Sequence, residues 1–234
     1  MTGSTRRWQQ AYKLMQDYSI GEVESLVLKA YRGAGFSWGL AQEAGNAAAW
    51  MAMNSLPALD EFAHLLEHID RQVTGTLSPL INDKTCWVNP SKQLCPVITG
   101  AAFSESDLDA FDLKQGLTIQ AVCQPMILVP FIAKSAKVLQ RNIVLQFSEI
   151  KIICGKTGGG HHCLTQLAST GAFIGDVSLL QTDRASPDSV DIHQRAVAAP
   201  QSLKILNKLA HRTYVPASEE SRLAGAGAGL LDND

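Results

Sequence analysis

Apolar residues recur at three- and four-residue intervals up to about residue 70, and beyond it give way to short runs of strand-like composition. Ser19, with Glu22 three positions on, precedes Val23, Leu26, Val27 and Ala30, which predicts a capped helix from 20 to about 32. Gly33 and Gly35 supply the backbone freedom that ends it. Ser37 then caps a second helix over 37–54, with Leu40, Ala44, Ala47, Ala48 and Met51 on one side. Gly39 and Gly45 lie inside that helix. Each costs about 1 kcal/mol relative to Ala there, so close approach of another backbone is expected around them. After Pro57, residues Leu59, Phe62, Ala63, Leu66 and Ile69 trace a third amphipathic helix over 58–70.

Residues 71–93 carry Gly75, Pro79, Asn82, Asp83, Asn89 and Pro90 without periodicity and read as a long connection. Past it, short strands are expected at 94–99, 117–123, 142–147, 150–154, 176–181 and 193–198, with helices at 105–111, 131–140 and 201–211. The first three strands alternate with helices, whereas 146–151 is a tight turn between neighbours, so the sheet should be mixed. The expected organisation is an extension over 1–18, a helical segment over 19–70, the connection, and a mixed α/β body over 94–234 with a glycine-rich end. The fold class is α+β: an N-terminal helical segment packed on a body with a mixed β-sheet and flanking helices.

Composition narrows the partners. A chain of 234 residues with 46% hydrophobic content can bury a sizeable core. Twenty Lys and Arg against 22 Asp and Glu leave a net charge of −2, so no global field draws in nucleic acid or an anionic membrane. The longest apolar run, 126–133, is interrupted by Pro130 and falls well short of the roughly 20 residues of a membrane helix. Arg6 and Arg7 are followed by Lys13 and Asp17 with no apolar stretch between, which is not a secretory signal, and a cytoplasmic protein is expected. The odd, widely spaced set Cys86, Cys95, Cys123, Cys154 and Cys163 reads as reduced thiols.

Motifs of known chemistry fail on inspection. Gly155-Lys156-Thr157 follows an apolar strand, but Ile150 stands where a phosphate loop needs glycine, and Gly158 to Gly160 would break the required helix. His161, His162, Cys163 and Cys154 lack zinc-ligand spacing, and His64 with His68 offers two ligands where three are needed, so no metal is expected. No nucleophile elbow or dinucleotide fingerprint occurs, and no cofactor is implied.

Two segments exceed what packing requires. The first holds Arg32, Ser37, Trp38 and Glu43 around a glycine-rich helix junction. The second holds Tyr214, Ser221, Arg222 and Asp232 among glycines and alanines. A guanidinium beside glycine N–H groups suits a carboxylate or phosphate, so the two segments are expected to meet in one shared polar site. The stretches RGAGFSWGLAQEAG and TYVPASEESRLAGAGAGLLDND resemble the signatures of an uncharacterised bacterial family of unknown function. That resemblance implies a bacterial, intracellular protein and supplies no activity. The expectation is a small-molecule enzyme or binding protein for a polar or anionic metabolite, with catalytic residues unassigned. The alternative is a non-catalytic assembly or interaction subunit, a homodimer being one form of it.

Overall fold

A computed structural model describes residues 16–81, 83–106, 111, 113–156, 161–163, 173–184 and 193–214. Helix α1 (Ile20–Gly33) begins at the expected capping box: the Glu22 N–H donates to Ser19 Oγ and the Ser19 N–H donates to Glu22 Oε2. Helix α2 (Trp38–Met53) is capped by Ser37, whose Oγ accepts from the Leu40 N–H at 3.3 Å. Helix α3 (Ala58–Ile69) follows Pro57. A Cβ at Gly45 would stand 3.1 Å from the Glu24 carbonyl and 3.3 Å from Leu28 Cβ, so α1 and α2 meet closely there; at Gly39 the space is open. The close approach expected of both glycines occurs at one.

The region 71–93 contains a 3₁₀ turn (Thr74–Leu77) and the two-residue strand β2 (Cys86–Trp87). The strand expected at 94–99 is instead mostly helix: α4 runs Pro96–Glu105. Pro96 occupies the first helical position, where its missing N–H costs nothing, and Val97, Ile98, Thr99 and Phe103 are all buried. A helix buried on nearly every side has no apolar stripe, so its β-branched run imitates a strand. Only Leu94 keeps a strand-like contact, an isolated parallel bridge to Val122. Of the helix expected over 105–111, Glu105 is the last residue of α4, and 107–110 lie outside the described residues.

The remaining elements are β3 (Leu117–Cys123), a second 3₁₀ turn (Pro125–Leu128), α5 (Val129–Leu139), β4 (Asn142–Phe147), β5 (Ile150–Cys154), β6 (His161–Cys163), β7 (Ile174–Thr182), β8 (Arg195–Ala198) and α6 (Pro200–His211). Of these, the second 3₁₀ turn and β6 have no counterpart among the expected elements, and the others fall close to expectation. The main sheet has the order β2-β3-β7-β4-β5-β6; β2 and β3 run parallel and every other pair is antiparallel, which makes it mixed. Strand β8 pairs instead with β1 (Gln16–Ser19), Asp17 opposite Val197, in a separate two-stranded ribbon.

Leu117, Ile119, Ile143, Leu145, Val177 and Leu179 turn one face of the sheet into the core. Helix α5 packs against β4 and β5, and α4 against α5 and the second 3₁₀ turn. Helices α1, α2, α3 and α6 form the outer layer, in which α2 touches α4, α5 and that turn and α3 touches that turn. The fold is α+β, the helical segment resting on the sheet body through this middle layer. Among the described residues no helix is long and apolar enough to cross a membrane.

Candidate functional site

Strand β3 delivers Cys123 to the sheet's end, and the chain then turns through Gln124, a non-glycine residue in the left-handed region (φ 46°, ψ 65°) before Pro125 opens the 3₁₀ turn. Such a conformation is unfavourable for an L-residue and persists only where the surroundings over-determine it. Here they do. The Gln124 N–H donates to the Phe173 carbonyl at 2.8 Å, and its own carbonyl accepts from the Ile127 N–H at 3.0 Å. Its side-chain Oε1 accepts from the Phe173 N–H at 2.6 Å, and Nε2 donates to Glu61 Oε2 at 2.9 Å. One side chain thus joins the end of β3, the approach to β7 and the first turn of α3.

Glu61 is 1% exposed, on the core side of α3. Burial raises its carboxyl pKa from 4.5 to about 7; the Gln124 hydrogen bond opposes the rise and the neighbouring Asp60 adds to it. Asp60 is itself held by the Ala199 N–H at 3.1 Å, at the start of α6. The second oxygen, Glu61 Oε1, is buried without a hydrogen-bond partner, and so is Nδ1 of His64, one turn further along the same helix. Buried polar atoms are satisfied in the great majority of cases, so two orphans on adjacent turns mark an unfinished polar site.

Beside them is a cavity of about 150 Å³ lined by His64, His68, Cys123, Gln124, Phe173 and Ile174. His68 is oriented by Gln93 at 3.0 Å, and Gln93 donates to Gln72 at 2.6 Å. Burial pushes the Cys123 thiol up to about 12, with Cys95 contributing, and Cys95 is raised likewise by burial while it meets the Tyr31 hydroxyl at 3.4 Å. Both thiols are therefore protonated at neutral pH, and Cys123 serves as a wall of the cavity, since the thiolate is the nucleophilic form. The arrangement supplies an amide, an imidazole and a carboxyl that changes charge near neutrality. Glu61 itself does not line the cavity, so the arrangement is suited to hydrogen bonding with a small polar molecule.

Of the residues singled out in the sequence, the described ones fall at three features. Arg32 donates to the Phe36 carbonyl and lies 4.5 Å from the Trp38 ring centroid, while Ser37 caps α2; these three make a helix corner. Glu43 faces a different feature, a cleft between α2 and α5. Tyr214 packs edge-on to His211 at 5.4 Å and beneath Lys29. Ser221, Arg222 and Asp232 lie outside the described residues. Lys156 sits in an exposed turn, its N–H donating to Asn142 Oδ1, and the element after that turn is strand β6. Among the described residues no three His, Cys, Asp or Glu are grouped to hold a metal ion, and Cys86, Cys95, Cys123 and Cys154 are free thiols.

Glu61 and Gln124 escape a reading of the sequence. One signal for Glu61 was present: it stands between Leu59 and Phe62 and one turn before Leu65, on the face that must be buried. Nothing local marks Gln124, whose role depends on partners 63 and 49 positions away.

Residues 18–95 match the model of a family described as "Protein of unknown function (DUF3726)", a span that holds the first glycine-rich segment, Glu61 and His64. No curated protein matches the chain in sequence. In three dimensions it is similar to the malate dehydrogenase of Entamoeba histolytica, with 10% identity and a TM-score of 0.40 over 69% of this chain. The alignment covers 49% of that enzyme, about half its length, and a likeness at this level says nothing of activity.

Proposed function

We propose that this chain is a small-molecule enzyme or binding protein whose site is the chamber between α3 and the end of β3, and that its ligand is small and polar. The observation that supports this is the pair of orphaned atoms, Glu61 Oε1 and His64 Nδ1, beside a partly open cavity. A cavity of 150 Å³ accommodates a molecule about the size of benzene, and a mostly apolar lining with a few polar groups favours one that carries donor and acceptor groups on a small apolar frame. The Gln124 amide and the His64 ring would meet the ligand, and Glu61, behind Gln124, would hold that amide in place. An anion would be opposed by ionised Glu61, so neutral ligands are favoured over anionic ones here.

The test is a thermal-shift screen with short-chain alcohols, amides and ketones on the wild-type chain and on His68→Trp, which narrows the cavity from its exposed rim. A ligand at 100 times its Kd adds about 2.7 kcal/mol to stability. The reading predicts compounds that stabilise the wild type and not the variant; a screen without hits, or hits indifferent to His68→Trp, removes it.

The reading as an interaction subunit draws on Ile174 and Leu180, which are 44% and 38% exposed on β7. Sedimentation of the purified chain decides it: a dimer at micromolar concentration supports that reading, and a monomer counts against its homodimeric form.

A further inference from the structure

We propose a second binding site in the cleft between α2 and α5, for a flat, partly apolar molecule carrying a single anionic group. It shares no residue with the chamber, so the two readings stand or fall separately. The cleft is a cavity of about 340 Å³, within the range of small-molecule sites.

Two helix faces make it. On α2, Glu43, Asn46 and Trp50 follow the i, i+3, i+7 row, and on α5 Lys134 and Lys137 are one turn apart above Phe131. The floor is aromatic and firm. Phe131 is 3% exposed and is seated against Gly100 of α4, where a Cβ would stand only 2.4 Å from its Cγ. Half-buried Trp50 provides the facing apolar surface. A planar ligand would contact both rings.

The rim decides the ligand's charge. Lys134 and Lys137 are exposed, and among the described residues neither has a carboxylate within ion-pair distance. Lys137 lies in the last turn of α5, where a cation also complements the helix dipole, but Lys134 lies outside that turn and has no such role. Two ammonium groups against the one carboxylate of Glu43 leave the cleft net positive, which matches one anionic group. Glu43 and Asn46 would then accept from or donate to polar groups at the ligand's opposite edge. A wholly apolar occupant would leave the lysines unused, and a cation would be repelled by them.

The experiment titrates 2-naphthoate and its uncharged analogue 2-naphthamide into the ¹⁵N-labelled chain, reading amide shifts and Kd. The proposal expects naphthoate to perturb α2 and α5, and to bind about tenfold tighter than naphthamide, the size of two partly exposed ion pairs together. Lys134→Ala with Lys137→Ala should weaken naphthoate by a similar factor and leave naphthamide unchanged. Glu43→Gln should tighten naphthoate, because a like charge is removed. The proposal is overturned by equal affinity for the two probes, by wild-type affinity in the double lysine variant, by shifts centred elsewhere, or by no binding of naphthoate. All three positions are exposed or half-buried, and an unchanged amide spectrum away from the cleft verifies folding of each variant.

Discussion

Arg212, just beyond α6, forms a two-pronged ion pair with Asp70 at the end of α3, its two terminal nitrogens donating at 2.6 and 2.9 Å across 142 positions of sequence. The same guanidinium reaches the Gly33 carbonyl at 3.3 Å. The chain after α6 is thereby tied to the first helices.

Breaking that pair should cost modestly. Its side chains are 28% and 26% exposed, so water and salt screen it, and Arg212→Ala is expected to lower stability by about 1 kcal/mol in urea melts. The hydrogen bonds from Arg212 hold the Asp70 carboxyl below its ordinary 3.8. A depressed carboxyl stabilises the fold above the ordinary value and loses that contribution as pH falls through the folded one. The difference between Arg212→Ala and wild type should therefore shrink below pH 3.8, and a difference that persists at low pH would assign it to packing.

Glu61 has the opposite sign. Its folded pKa near 7 exceeds the ordinary 4.5, so the folded chain keeps a proton that the unfolded chain has released. That contribution is complete below pH 4.5 and is lost as pH rises through about 7. The loss is about 3 kcal/mol. Glu61→Gln should flatten this part of the stability profile in urea melts at successive pH values. A profile equally steep in the variant would show that another group is responsible.

Gln124→Ala removes the donor to Glu61 Oε2 and the acceptor of the Phe173 N–H while keeping the left-handed backbone. A loss of about 2–4 kcal/mol is expected from the two stranded groups. Gln124→Gly relieves the backbone strain and should be less damaging by about 1 kcal/mol. Chemical denaturation of the pair checks the order; a more stable alanine variant would contradict the assigned role of the left-handed turn.

The glycines of α1 and α2 should separate sharply. A Cβ at Gly33 would lie 1.8 Å from the Leu209 carbonyl of α6, so Gly33→Ala must displace one helix and should cost about 3 kcal/mol or more. Around Gly39 nothing lies within 4 Å, and Gly39→Ala should be neutral or stabilising by up to about 1 kcal/mol. Thermal melts measure both.

Elements specified by nearby residues were legible in the sequence. Ser19 with Glu22 begins α1, Ser37 begins α2, and alternating burial along 142–147 marks β4, because caps and pleats join residues a few positions apart. The stretch 96–105 was not, because burial on nearly all sides erased the helical period that exposure to water would have imposed. The pairing of β8 with β1, the closeness of Gly33 to Leu209 and the Arg212–Asp70 pair likewise belong to the tertiary structure. So does the chamber. The sequence by itself determined where helices and strands begin and that they must share a core; it could place His64 and His68 on one helix face. Only folding decided that Glu61 would be desolvated beside Gln124, since a carboxyl's pKa and an amide's partners depend on what is brought near from 63 positions away and on the water thereby excluded.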